Sequence, residues 1–195
     1  MIRLLLLLLV LATGSVYLVR FVERLRRERL AQVRAAFLVD VRAPRDRDPE
    51  HKGAVLRGGA VRMRLPRHWA EEYPDEDHAS FRDPGSPQRV LRVASVGVVA
   101  APAGLRALLQ ARAGEEATTI EDLPEGRVLL RSLDASREDG RDVVMFCWLF
   151  AAPLPPSEAR LATFTLSVPE KTALDPLTRD VVAMLDLEIR SARLA

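Results

Sequence analysis

A second cysteine is missing: Cys147 is alone in 195 residues, so no intrachain disulfide can form. Cys147 sits in the apolar run Val143 to Phe150, where a lone thiol behaves as a small hydrophobe. Lysine occurs only at Lys52 and Lys171, and a formal charge of +2 is too small to argue for nucleic acid. Histidine is confined to His51, His68 and His78, with no helical His-x-x-x-His pair, so zinc has no ligand set. No serine stands in a Gly-x-Ser-x-Gly turn, which argues against a serine hydrolase. Arg57-Gly58-Gly59 precedes no helix and no Gly-Lys-Ser/Thr follows, so a phosphate loop fails as well. These absences leave no catalytic residue, cofactor or metal to expect, and the chain reads as a non-enzyme.

What is present begins with Leu4 to Val19, a stretch without charge broken only by Thr13, Gly14 and Ser15. With Arg3 and Arg20 snorkelling from its ends, it reaches the length of a spanning helix, a transmembrane anchor over residues 1–22. The alternative is a cleaved signal peptide, with Ala12-Thr13-Gly14 as the cleavage site, which would release an exported module. Arg20, Arg24, Arg26, Arg27, Arg29 and Arg34 follow the span against Glu23 and Glu28. The positive-inside rule therefore puts the C-terminal side in the cytoplasm, as a single-pass protein of a bacterial inner membrane. Residues 23–51 read as a basic stalk helix and a charged linker. Arg24, Arg26 and Arg27 are the candidates for contact with anionic lipid.

The globular domain is expected over 52–195. Val61, Met63 and Leu65 alternate with arginines in a half-buried strand that ends at Pro66. A loop over Arg67 to Asp77 and a short strand at Ala79 to Arg82 come next. Arg89 to Val99, apolar on both faces, predicts a central strand covered on both sides. Pro102 opens a helix that Gly114 closes. Thr118 to Ile120 is a brief strand. Arg127 to Leu133 and Val143 to Phe150 form a pair joined through Glu138-Asp139-Gly140, a hairpin signal. Leu161 to Val168 is a further strand. Asp175-Pro176 opens a last helix running to about Arg193, with Leu177, Val181, Leu185 and Ile189 as its core stripe. The fold class is α+β, a mainly antiparallel sheet with two flanking helices.

Val61-Arg-Met-Arg-Leu-Pro-Arg-His-Trp69, the strand at Phe81, the valine-rich strand, the strand pair and Ala162-Thr-Phe-Thr-Leu-Ser-Val-Pro169 with its closing helix come in a suggestive order. Over Ala60 to Leu194 this order resembles the PsbP/DcrB-like superfamily, which also contains the Ran-binding Mog proteins. The resemblance implies an α/β/α sandwich and roles in binding and assembly rather than catalysis. The chain departs from the bacterial members in lacking a lipidation cysteine and in its basic flank after the span.

Two clusters stand out as candidate sites. Glu71, Glu72, Asp75, Glu76, Asp77 and His78 crowd one loop beside Trp69 and Tyr73. Its spacing matches no calcium loop, so it reads as a solvated acidic face or a contact for a basic partner. Phe146, Trp148 and Phe150 share one face of a strand, as core or as an aromatic patch for a protein partner. The expectation is an accessory or scaffold protein of a membrane complex, with Trp69, Tyr73, Phe146, Trp148 and Phe150 as candidate partner contacts. The alternative is a periplasmic module for a small or lipidic ligand.

Overall fold

The computed structural model describes residues 21–38, 51–56, 60–112, 119–154 and 156–194. Backbone packing divides the chain into two units, Met1–Ala36 and Phe37–Ala195. The backbone is helical over 21–38 (α1). No helix among the described residues is long and apolar enough to cross a membrane, and the Leu4 to Val19 run lies outside them.

In the second unit all strand pairs are antiparallel, and they form two sheets rather than the one expected. The smaller holds β1 (His51–Val55), β2 (Val61–Pro66) and β10 (Arg193–Leu194), with β2 in the middle. The larger runs in the order β3 (Ala70–Glu72), β4 (His78–Arg82), β5 (Val90–Val99), β9 (Glu158–Pro169), β8 (Arg141–Leu154), β7 (Arg127–Glu138), β6 (Thr119–Leu123). A 3-10 turn at Pro102–Gly104 leads into α2 (Leu105–Arg112), and α3 (Pro176–Ser191) precedes β10. The strands β1, β3 and β10 were not legible in the sequence, being short or lacking alternation. Gly114 and Ala113 lie outside the described residues.

The turn between β7 and β8 behaves as its sequence requires. Asp139 and Gly140 both have positive φ, 49° and 76°, the geometry of a two-residue type I′ hairpin. It sets a long register that pairs Glu138 with Arg141 and continues to Val128 opposite Ala151.

Directly opposed residues share a face, so the register sorts the large sheet into two sides. On one lie Leu91, Val93, Phe164, Leu166, Phe146, Trp148, Phe150, Leu129 and Leu133, all buried. Helix α3 covers this side, and Phe37 closes on it edge-on, 5.1 Å from Phe146 and 5.2 Å from Trp148 between ring centroids. On the other side α2 seals one end, packing Leu105 and Leu109 on Val128, Leu130, Ala151, Ala159 and Leu161.

Two sequence readings are corrected here. The stripe of α3 holds at Leu185 and Ile189 and leaves Val181 half-buried, but Leu177 is 72% exposed, and Thr178, Val182 and Asp186 are buried as well. The reason is electrostatic, because Asp186 and Glu188 point inward to arginines and a purely apolar reading of the helix turns them out. Strand β5 is central by pairing, yet it is not covered on both sides. Val96 is 51% exposed and Arg92 lies open beside it.

Candidate functional site

The aromatic candidates divide on burial. Trp69, Phe146, Trp148 and Phe150 are closed to solvent, so the aromatic row of β8 is core and forms no surface patch. What the sequence could not show is how the row is held. The Trp148 indole Nε1–H donates to Asp186 Oδ1 at 2.9 Å. Arg190 Nε donates to Asp186 Oδ2 at 2.7 Å and Nη1 to Glu121 Oε1 at 2.6 Å. Arg131, almost fully buried, brings Nη1 to 3.6 Å of Asp186 Oδ1 and donates from Nε to Thr119 Oγ1 at 3.2 Å. Burial alone would lower the Arg190 pKa, but its hydrogen bonds to Glu121 and Asp186 outweigh that and raise it. The network pins α3 to β7 and β8, a structural role.

Tyr73 is half-buried, edge-on to Phe81 at 6.0 Å, and its hydroxyl donates to Glu71 Oε2 at 2.7 Å. Lys52 pairs with Glu71 and donates to the Trp69 carbonyl at 2.8 Å. The Lys52 hydrogen bond holds the Glu71 carboxyl below its ordinary range, with Tyr73 adding to the effect. In the acidic loop, Asp75 Oδ1 accepts from the Asp77 amide at 2.9 Å and lies 2.7 Å from His78 Nδ1. The contact with His78 lowers the Asp75 pKa. The acidic loop is thus stitched to itself and to Lys52, and among the described residues no three acidic, cysteine or histidine groups converge as a metal site.

In α1, Arg24 Nε donates to Glu28 Oε1 at 2.9 Å and Arg27 lies 3.9 Å from Glu23. Both arginines are about four-fifths exposed, so these pairs are weak and leave the side chains accessible. Arg26, on the same helix, is half-buried.

The arrangement with the character of a site is the half of the large sheet that α2 leaves uncovered. Ser80, Arg92, Ala94, Val96, Thr163, Thr165, Cys147, Met145, Ser132 and Asp134 all lie on that side, half-buried or exposed. Two clefts adjoin at Thr163. One, about 450 Å³, lies among Pro74, His78, Ser80, Arg92 and Thr165. The other, about 510 Å³, lies among Arg112, Ser132, Asp134, Cys147 and Leu149. Hydroxyls and short apolar groups share the face, and its Arg92–Glu138 pair is fixed in place. Arg92 donates from Nη1 and Nη2 to the two carboxylate oxygens of Glu138, at 3.2 and 3.3 Å, and from Nη1 to Ser167 Oγ at 2.8 Å.

Cys147 is on this face rather than in the apolar core. Its thiol is pushed up to about 11, first by burial and then by the Asp134 carboxylate, against hydrogen bonds with Thr165 and Ser132. At neutral pH it stays protonated and is a poor nucleophile. The face offers a docked molecule its shape and the hydroxyls of Ser80, Thr163, Thr165 and Ser132. Sequence reasoning missed it because it weighed Cys147, Met145 and Leu149 as apolar, and no local signal tells a covered strand face from a bare one.

No known protein family matches the chain, and no curated protein matches it. Solved structures do. A structure from Bacteroides thetaiotaomicron is similar at a TM-score of 0.50 and 16% identity, over 75% of this chain and 49% of that one. The chain thus spans about half the length of that structure. The Ran-binding protein Mog1p of Saccharomyces cerevisiae is similar at a TM-score of 0.46 and 11% identity, over 74% of this chain and 95% of its own. The human StarD13 lipid transfer and protein localization domain follows at 0.35 and 17%, over 63% and 87%. At these identities the Bacteroides likeness is one of fold alone.

Proposed function

We propose that this chain is a non-enzymatic accessory protein, tethered to a bacterial inner membrane by residues 1–22, whose domain docks a partner protein of a membrane complex. The observation that carries this reading is the bare side of β5, β9 and β8. Three long central strands present a row in which Val96 and Thr163 are exposed and Cys147 and Thr165 half-exposed, and no element among the described residues covers it. Burying such a face against a partner gains roughly 25 cal/mol per Å² of apolar surface. Its hydroxyls supply the directional contacts. The basic run after the apolar stretch supports a cytoplasmic placement of the domain.

Mild detergent extraction should recover the chain with a defined set of partners. Thr163→Arg and Val96→Arg, both on the exposed side, should release them while leaving the thermal unfolding midpoint of the chain unchanged. A chain that runs alone, or a complex indifferent to both changes, would overturn the reading. A reporter fused after Ala195 separates the placements: a cytoplasmic signal with a full-length product supports the anchor. A periplasmic signal with a shortened product favours the exported module.

A further inference from the structure

We infer that the outer face of the small sheet is a second binding site, built for an extended acidic segment of a partner chain. Arg62 and Arg193 are directly opposed on β2 and β10, and both are exposed. Like charges in that position repel across the ladder and destabilise it. Among the described residues neither has an ion pair, unlike Arg64 on the same face, which donates from Nη2 to Glu188 Oε1 at 3.0 Å. The C-terminal end of α3 next to β10 offers about half a negative charge, enough for one cation at most. The face therefore carries an excess of positive charge that the fold itself does not use.

Shape narrows the ligand. The arginines sit in a groove of about 650 Å³ walled by Leu187, Glu188 and Ser191 of α3, with Gly53 and Val55 of β1 along its side. That volume is far beyond a single ion. Strand β1 is an edge, paired only with β2 among the described residues, and an added side chain at Gly53 would meet nothing. Strand β10 lies on the far side of β2 from that edge, so a segment that meets both Arg62 and Arg193 lies across the face of the sheet and not along the edge of β1. Arg62 and Arg193, directly opposed on neighbouring strands, stand about 5 Å apart at the backbone, within reach of two same-side carboxylates of an extended peptide about 6.7 Å apart. Val55 and Leu187, each 45% exposed, offer contacts for apolar side chains between the acidic ones. A bilayer surface is flat and would reach a convex patch in preference to this groove.

The test uses the full chain in neutral detergent micelles and a fluorescent octapeptide of alternating glutamate and valine, read by anisotropy. Saturable binding is expected, weakened at least tenfold by Arg193→Glu. Arg82→Glu makes the same change of charge away from the groove and should leave binding as it was. Arg193→Glu turns a repulsive pair into an attractive one, so it should also raise the thermal unfolding midpoint, which excludes misfolding as the cause of lost binding. Absence of saturable binding, or equal loss in both variants, would overturn the inference. So would Arg193-dependent binding of anionic phospholipid vesicles without binding of the peptide, which would assign the groove to a membrane. None of these outcomes touches the residues of the bare sheet face, so the two sites fail or stand separately.

Discussion

Cys147 shows how one side chain's surroundings set its chemistry. On the bare face it is half-exposed, whereas the lone thiol of an apolar run reads in sequence as a small core hydrophobe. Burial and Asp134 push its pKa from 9.0 to about 11, which lowers the thiolate fraction about a hundredfold near neutrality. Because a more basic thiolate is also the better nucleophile, alkylation by iodoacetamide at constant pH should run on the order of tenfold slower than for an unperturbed thiol. Asp134→Asn should speed it, since it removes the second of the two causes; a thiol that reacts at the ordinary rate would contradict the assigned environment. Asp186 carries the opposite lesson. It accepts from Trp148 and Arg190 and faces Arg131, all from inside the core. Asp186→Ala leaves the buried Arg131 guanidinium without its carboxylate, and should cost about 3–5 kcal/mol in unfolding free energy.

At the scale of elements, turns and helix faces decide register and contact. Gly140 takes a φ of 76° in the β7–β8 turn, where a side chain is strained. Gly140→Val should cost about 1–2 kcal/mol, measured by denaturant unfolding. An equally stable variant would mean that the register of β7 and β8 does not depend on this turn. Helix α3 matters for a different reason. Its buried positions mix Val182, Leu185 and Ile189 with Asp186 and Glu188, so the strands around it must supply cations, and Arg131 and Arg64 do so from β7 of the large sheet and β2 of the small one. The apolar period alone places Leu177 inside, whereas it stands at the exposed start of the helix.

For the whole molecule, the acid limb of stability follows from two anchored glutamates. Lys52 holds Glu71 down, and Arg190 does the same for Glu121, so both carboxyls have folded pKa values below the ordinary 4.5. A depressed folded pKa contributes stability that is fully present above about 4.5 and is lost as pH falls through the folded values. The thermal midpoint should thus be level above this range and decline below it. Lys52→Met should make the decline shallower by removing the cause at Glu71, and an unchanged slope would refute that assignment. The candidate sites also belong to this scale, because neither is confined to one stretch of chain. The bare face needs β4, β5, β9, β8 and β7 side by side. The arginine groove needs β2 against β10, residues 62 and 193, which only the closing of the chain brings together.

The sequence alone determined the local grammar of this protein. Alternation in Val61–Pro66, the Asp139-Gly140 turn and Pro176 at the head of α3 each express short-range sterics and hydrogen bonding, which neighbouring residues suffice to fix. It also determined that the aromatic row of β8 shares one face, since side chains alternate with period two. Which face of β5, β8 and β9 is left bare was decided only in three dimensions. Coverage depends on where α2, α3 and Phe37 pack, and both sides of those strands carry apolar residues. The same holds for the like-charged pair of Arg62 and Arg193, whose repulsion exists only once residues far apart in sequence are set 131 positions' worth of chain later on adjoining strands.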